Sequence, residues 1–206
     1  MAHLAALSVV DRPELWADLG FAVSGDDALV GTVTVTLGRP GGPPGITGWT
    51  LAGVDHEAAA LELDGVPTTV LDAPPPPNPG RHPNAVTAID HVVVTTPDLE
   101  RTVEALGRLG IHERRRRDAG RPGGASMTQV FFRLGEVILE LVGPPEPSGD
   151  GPARLWGLAF LVSDLEQTAA YLGPRLRPAR AAVQPGRFIA TLDRSAGSAV
   201  DIAFMS

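Results

Sequence analysis

The 206-residue chain has no cysteine. That excludes a disulfide framework, thiolate metal sites, iron–sulfur clusters and a cysteine nucleophile. Lysine is also missing, because all 17 basic residues are arginine, so Schiff-base chemistry and a P-loop lysine drop out. Aromatics make up only 5% of residues, and Tyr171 is the single tyrosine. No apolar run approaches the about 18 residues of a membrane-spanning helix. The net charge of −7 argues against a nucleic-acid partner, which needs a positive face. The N-terminal MAHLAALSVVDRPELW meets Asp11 and Arg12 too early for a signal peptide, so a cytoplasmic protein with no membrane partner is expected. What chemistry remains rests on five histidines (His3, His56, His82, His91 and His112), carboxylates, hydroxyls and arginine.

The present residues fall into repeating patterns. APPPPNPGRHPN is too proline-rich to pair in a sheet, and residues 73–85 are expected to form an extended linker at the surface. It separates an N-terminal segment, 1–72, from a C-terminal one, 86–206. The latter opens with AIDHVVVTT, a β-branched strand, followed by a helix with Thr96 as N-cap and Pro97 at its first position. Leu99, Val103 and Leu106 recur at helical spacing, and two strands follow in TQVFFRLGEVILELVG. The order then repeats: LWGLAFLV is a strand, Ser163 and Glu166 form a capping box, DLEQTAAYLG is a helix, and RFIATLD and AVDIAFM are strands. HVVVTTPDLERTVEALG and GLAFLVSDLEQTAAYLG align without gaps, a duplication with a period of about 60 residues. A weaker copy stands at the front, with Asp11 and Glu14 capping a helix around Pro13 and GITGWTLAGV taken as its last long strand.

A duplicated strand–helix–three-strand unit with IDHVVV in its first strand and ILELVG in its last resembles the vicinal oxygen chelate superfamily, which includes glyoxalase I, methylmalonyl-CoA epimerase, extradiol dioxygenases and the bleomycin resistance proteins. The resemblance implies an α+β fold: βαβββ modules whose curved, mainly antiparallel sheets form a cup with the helices outside. The expected division is a degenerate module over 1–72, the linker, and a glyoxalase-like domain of two modules, 86–145 and 153–206. It also implies a divalent metal held by a histidine from each first strand and a glutamate or glutamine from each last.

His91 and Glu140 stand at both ligand positions of the first full unit. In the second unit those positions are Gly157 and Ala203, and in the front copy Leu4 and Thr50, with His3 one residue out of phase. Strand alternation puts Gln129, Phe131 and Arg133 on one face and Val130, Phe132 and Leu134 on the other. Three readings stay open for His91 and Glu140. They are relics, with Arg133 neutralising Glu140; or they bind or polarise a substrate without metal, joined by Asp201; or two chains face each other and share a two-His, two-Glu site. Gln129, Phe131, Arg133 and Asp201 are the candidate ligand contacts. Arg114 to Arg117 read either as an anion site or as a charged edge strand. His82 is expected to fix the turn that ends the linker, and His56 and His112 to lie exposed. An odd number of modules would leave one unpaired, which favours a homodimer. The function implied is that of a glyoxalase-like protein acting on a small oxygenated metabolite by lyase, isomerase or dioxygenase chemistry; the alternative is a metal-free binding or resistance-type protein.

Overall fold

In a computed structural model, residues 1–38, 44–55, 60–74, 76, 80–120 and 126–206 are described. His56 and most of RPGGPP and AGRPGGAS lie outside the described residues. The β-branched runs form strands in four groups. The first is β1 (His3–Val9), α1 (Pro13–Asp18), β2 (Val23–Ser24), β3 (Asp27–Val30) and β4 (Val33–Thr36). The second has strands alone: β5 (Ile46–Ala52), β6 (Ala60–Leu63) and β7 (Val66–Leu71). The third is β8 (Val86–Thr95), α2 (Leu99–Gly107), β9 (Arg115–Asp118), β10 (Thr128–Leu134) and β11 (Val137–Gly143). The fourth is β12 (Arg154–Val162), α3 (Leu165–Leu172), β13 (Arg180–Ala181), β14 (Phe188–Thr191) and β15 (Asp201–Met205).

In every group the last strand returns parallel beside the first: β4 on β1, β7 on β5, β11 on β8 and β15 on β12. Within the groups, β2–β3, β3–β4, β6–β7, β9–β10, β10–β11, β13–β14 and β14–β15 pair antiparallel. Two mixed sheets result, of seven strands (β2-β3-β4-β1-β5-β7-β6) and eight (β13-β14-β15-β12-β8-β11-β10-β9). This is the α+β architecture expected from the sequence.

Residues 1–72 hold two strand groups where one was expected. β4 already closes against β1, with Thr34 opposite Ala6. The strand containing Thr50 therefore opens a new group, and Thr50 pairs with Thr69 of β7. Four groups also remove the odd count from which a homodimer was inferred. No helix among the described residues is long and apolar enough to cross a membrane.

The chain divides into two compact units. Unit 1 comprises Met1–Ala5, Gly48–Pro74 and His91–Trp156. Val92, Val94, Val130, Phe132, Leu134, Val137, Leu139 and Leu141 are buried on one face of its β8–β11–β10 strands, the face toward Leu99 and Leu106 of α2. The β6–β7 turn locks onto this helix: Asp64 accepts from Arg101 Nε (2.7 Å) and from Thr102 Oγ1 (2.5 Å). The α2 N-cap is Asp98, which accepts from the Arg101 amide, while the expected cap Thr96 accepts from the Asp98 amide instead. A carboxylate in the extended residue next to the first turn reaches the free N–H directly, and Thr96 lies one bend too early.

Unit 2 comprises Ala6–Thr47, Pro75–Asp90 and Gly157–Ser206. Its core stacks Trp16, Phe21, Phe160 and Phe204, with successive ring centroids 4.6, 5.0 and 6.0 Å apart. Two capping expectations are corrected here. Asp164, not Ser163, caps α3, and Ser163 donates to the Ala85 carbonyl. Asp11 caps nothing; it is buried and accepts from Trp16 Nε1, Ser198 Oγ and the Ala199 amide. The end of the linker is also not a surface strap. Asn84 is fully buried, donating to the Leu19 carbonyl and accepting from the Val86 amide.

Candidate functional site

The face of β8–β11–β10–β9 turned away from α2 carries most of the sequence-selected residues. Cross-strand register arranges them in three rows. The first is His91–Ile138–Arg133, the second Val93–Glu140–Phe131–Arg115, and the third Thr95–Val142–Gln129–Arg117. Side chains in register stand on one side of a sheet, so alternation alone brings these groups together.

The polar groups connect across four strands. His91 Nε2 lies 3.5 Å from Glu140 Oε2, with the two side chains 19% and 14% exposed. The other carboxylate oxygen of Glu140 accepts from Gln129 Nε2, and Gln129 Oε1 accepts from Arg117 Nε. The Arg117 guanidinium also stands 5.3 Å over the Phe131 ring. Arg117 fixes which end of the Gln129 amide points at Glu140, and Gln129 in turn leaves Oε2 turned to His91. The third row runs into a cleft of about 300 Å³ lined by Thr95, Val142, Met127 and Arg154, among others.

Several expectations change. Arg133 does not neutralise Glu140: it is exposed, and among the described residues the partners of Glu140 are His91 and Gln129. Gln129 sits one row over from Glu140 and reaches it diagonally, whereas Arg133 on the opposite side extends to solvent. The arginine run splits by alternation. Arg116 turns to the helix face and pairs with Glu100 and Glu113, pulling the Glu100 carboxyl below its usual range. Arg117 turns to the site, a role legible only once β9 is registered on β10. Asp201, expected beside His91, belongs to unit 2. There it faces Gly157 on β12 and lines a cleft of about 240 Å³ with Asp193, Arg194 and Ser198. His3 rests against Gly135 in the β10–β11 turn, where a Cβ would come within 2.3 Å of its Nδ1.

The metal expected from the resemblance does not fit these residues. No group of three or more His, Cys, Asp or Glu side chains converges among the described residues, whereas a divalent ion of this kind takes three or four such ligands. The fourth strand group repeats the register of the third: Gly157 pairs with Asp201 and Ala159 with Ala203, as His91 pairs with Ile138 and Val93 with Glu140. Gly157 and Ala203 thus occupy the places that match His91 and Glu140. At Gly157 the loss is built in, because a Cβ there would stand 2.6 Å from the Asp201 carbonyl oxygen.

Paired first and last strands, repeated four times with ligand-type residues on one open face, define a protein of the βαβββ-module class. Residues 90–188 match the family model of the glyoxalase/bleomycin resistance protein/dioxygenase superfamily. Among solved structures, the chain is similar to a variant of 4-hydroxymandelate synthase from Streptomyces coelicolor (15% identity, 98% of this chain and 91% of that one, TM-score 0.67). It is also similar to a xylose isomerase-like TIM barrel/4-hydroxyphenylpyruvate dioxygenase fusion protein (12% identity, 98% and 49%, TM-score 0.68). A third likeness is to an extradiol ring-cleaving dioxygenase from B. fuscum (15% identity, 100% and 71%, TM-score 0.60). At these identities the likeness is one of fold. No curated protein sequence matches the chain.

Proposed function

We propose that the β8–β11–β10–β9 face of unit 1 binds a small oxygenated metabolite and exchanges a proton with it through His91, without a metal held by one chain. The observation that carries this reading is the polar chain His91–Glu140–Gln129–Arg117 on a partly open sheet face. A carboxylate in so apolar a strand is costly unless it is paired, and this one is held on both oxygens. Histidine is the side chain whose ordinary titration spans neutral pH, which suits it to take and return a proton. Glu140 Oε2 faces His91 Nε2 and orients the ring, and Gln129 and Arg117 hold that carboxylate still. The reaction classes open to such a site are isomerisation and elimination beside a carbonyl.

The test is hydrogen exchange in D2O on a panel of small carbonyl and hydroxy-carbonyl compounds, followed by proton NMR. The wild type exchanges a carbon-bound proton, Glu140→Gln slows it, and His91→Ala lowers the rate by about 10²- to 10⁴-fold, the usual contribution of a general base. Exchange by His91→Ala at the wild-type rate overturns the catalytic role. A second reading, a non-catalytic binding protein, is favoured by the loss of ligand positions at Gly157 and Ala203. Ligand binding that needs His91, with no exchange by the wild type, would select it. Metal retained through purification by wild type and lost in His91→Ala would instead support a site shared between two chains.

A further inference from the structure

The three rows of the unit 1 face share a feature that neither the His–Glu pair nor the fold requires: each ends in an arginine, Arg133, Arg115 and Arg117. Against one carboxylate, Glu140, that is a local excess of two positive charges, in a chain whose net charge is −7. Arg115 and Arg133 are exposed and have no ion-pair partner among the described residues. A charged edge strand guards against edge pairing. That explains arginines on β9 but not Arg133, which lies on β10, interior to the sheet, nor Arg117, which turns inward over Phe131. The matching rows of the fourth strand group are Gly157–Asp201, Ala159–Ala203–Thr191 and Leu161–Met205–Ile189–Arg180, with one arginine in place of three. The arginines therefore accompany the His–Glu pair and not the module.

Resting on the reading of this face as a ligand site, we infer that its ligand is a small organic anion. Its carboxylate or phosphate is held by Arg115 and Arg133 beside Arg117, and its flat part lies along Phe131 with the reacting end toward His91. Guanidinium groups present paired N–H donors that match the oxygens of either anion. Strands lie about 4.8 Å apart, so two spacings, about 10 Å, separate the His91 and Arg133 backbones. With side chains reaching inward from both ends, an anion of single-ring size fills that gap. Arg117 is committed to Gln129 through Nε, so its contribution to the anion comes from the remaining guanidinium nitrogens.

The test is isothermal titration with benzoate, phenyl phosphate and the neutral benzamide, on wild type, the double variant Arg115→Gln/Arg133→Gln, and His91→Ala. Circular dichroism and melting temperature check that the variants fold, as substitutions at two exposed positions should allow. At least one anion is expected to bind ten times more tightly than benzamide, to weaken with added salt, and to lose about tenfold in the double variant while benzamide is unchanged. Which anion binds better separates a carboxylate from a phosphate ligand. The inference is overturned if neither anion binds, if both bind no better than benzamide, or if the double variant binds as the wild type does. Its failure is separable from that of the proposed function. Equal binding of all three probes, lost together in His91→Ala, sinks the anion inference and leaves the site. Anion binding that depends on the arginines but not on His91 keeps the inference and sinks the role of His91.

Discussion

His82 is expected to make unit 2 acid-sensitive, by an amount that follows from its two hydrogen bonds. Its ring is buried. Nδ1 accepts from the Ala22 amide at 2.9 Å, and Nε2 lies 2.9 Å from the Leu29 carbonyl oxygen. The Ala22 N–H can only donate, so Nδ1 carries no proton and Nε2–H donates to Leu29: the ring is neutral, in one tautomer. Protonation would set two donors against each other at Ala22. Burial, the larger influence, lowers the pKa of His82, and the bond to Leu29 opposes this in part. With the folded pKa below the ordinary 6.5, the unfolded chain binds more protons under that pH. The stabilisation is then fully present above 6.5 and is lost as pH falls from 6.5 toward the folded value, at no more than about 1.4 kcal/mol per pH unit. His82→Ala removes two hydrogen bonds worth about 1 kcal/mol each and a ring contact with Phe21 worth about 1 more, about 3 kcal/mol in all. Urea unfolding followed by tryptophan fluorescence at pH 7.5, 6.5, 6.0 and 5.5 measures both forms. The wild type should exceed His82→Ala by about 3 kcal/mol at pH 7.5, with the gap narrowing by up to about 1.4 kcal/mol at pH 5.5. A gap that stays constant across this range would refute the assigned tautomer.

Three further outcomes are expected. Gly157→His should not create a metal site: its Cβ meets the Asp201 carbonyl oxygen at 2.6 Å, so metal content should match wild type while overpacking costs about 1–3 kcal/mol. Tight metal uptake by this variant would contradict the close approach of β12 and β15. Asp64→Ala strips Arg101 and Thr102 of their shared acceptor and should cost unit 1 about 2–3 kcal/mol in urea unfolding, with Asp64→Asn, which tolerates the left-handed backbone at φ 46°, costing less. Asp11→Ala leaves Trp16 Nε1, Ser198 and Ala199 without their acceptor. It should cost about 3 kcal/mol and shift tryptophan emission; an unchanged melting temperature would show that water replaces the carboxylate.

The period-two alternation of TQVFFRLGEVILELVG was enough to place Gln129, Phe131 and Arg133 on one face and the core residues on the other, because alternation is a local property. Gap-free matching of 91–107 with 157–173 likewise set His91 against Gly157, and the last strand of each repeat set Glu140 against Ala203, since both groups keep one register. Features set by long-range pairing were not legible. Nothing local in Arg114 to Arg117 says which arginine faces the site, since that depends on β9 lying opposite β10 at Gln129–Arg117. The second strand group was hidden because it has no helix to announce a module start: β5 follows β4 after a Gly-Pro-rich stretch that reads as an insertion. Capping residues were missed by one or two positions for a similar reason, since Thr96, Ser163 and Asp11 all carry suitable oxygens and only the tertiary setting decides which N–H each one meets.

The same register in the third and fourth strand groups makes their contrast informative. The two groups place these residues at equal positions of a parallel strand pair, so register alone does not account for His91 and Glu140 in one and Gly157 and Ala203 in the other. Had metal binding simply lapsed in both groups, nothing would keep a carboxylate between Leu139 and Leu141, where its burial is a cost. Instead Glu140 is held on one side by Gln129, which is itself held by Arg117, so three strands supply groups that serve this one carboxylate. In the fourth group the opposite holds: β12 and β15 lie so close that a Cβ at 157 would meet the Asp201 carbonyl oxygen at 2.6 Å. One half is organised around its polar pair and the other is closed to it. That division fits the proposed site on the unit 1 face, built on His91 and Glu140 alone, and it is why the arginine-ended rows of unit 1 are where the inferred anion is to be tested.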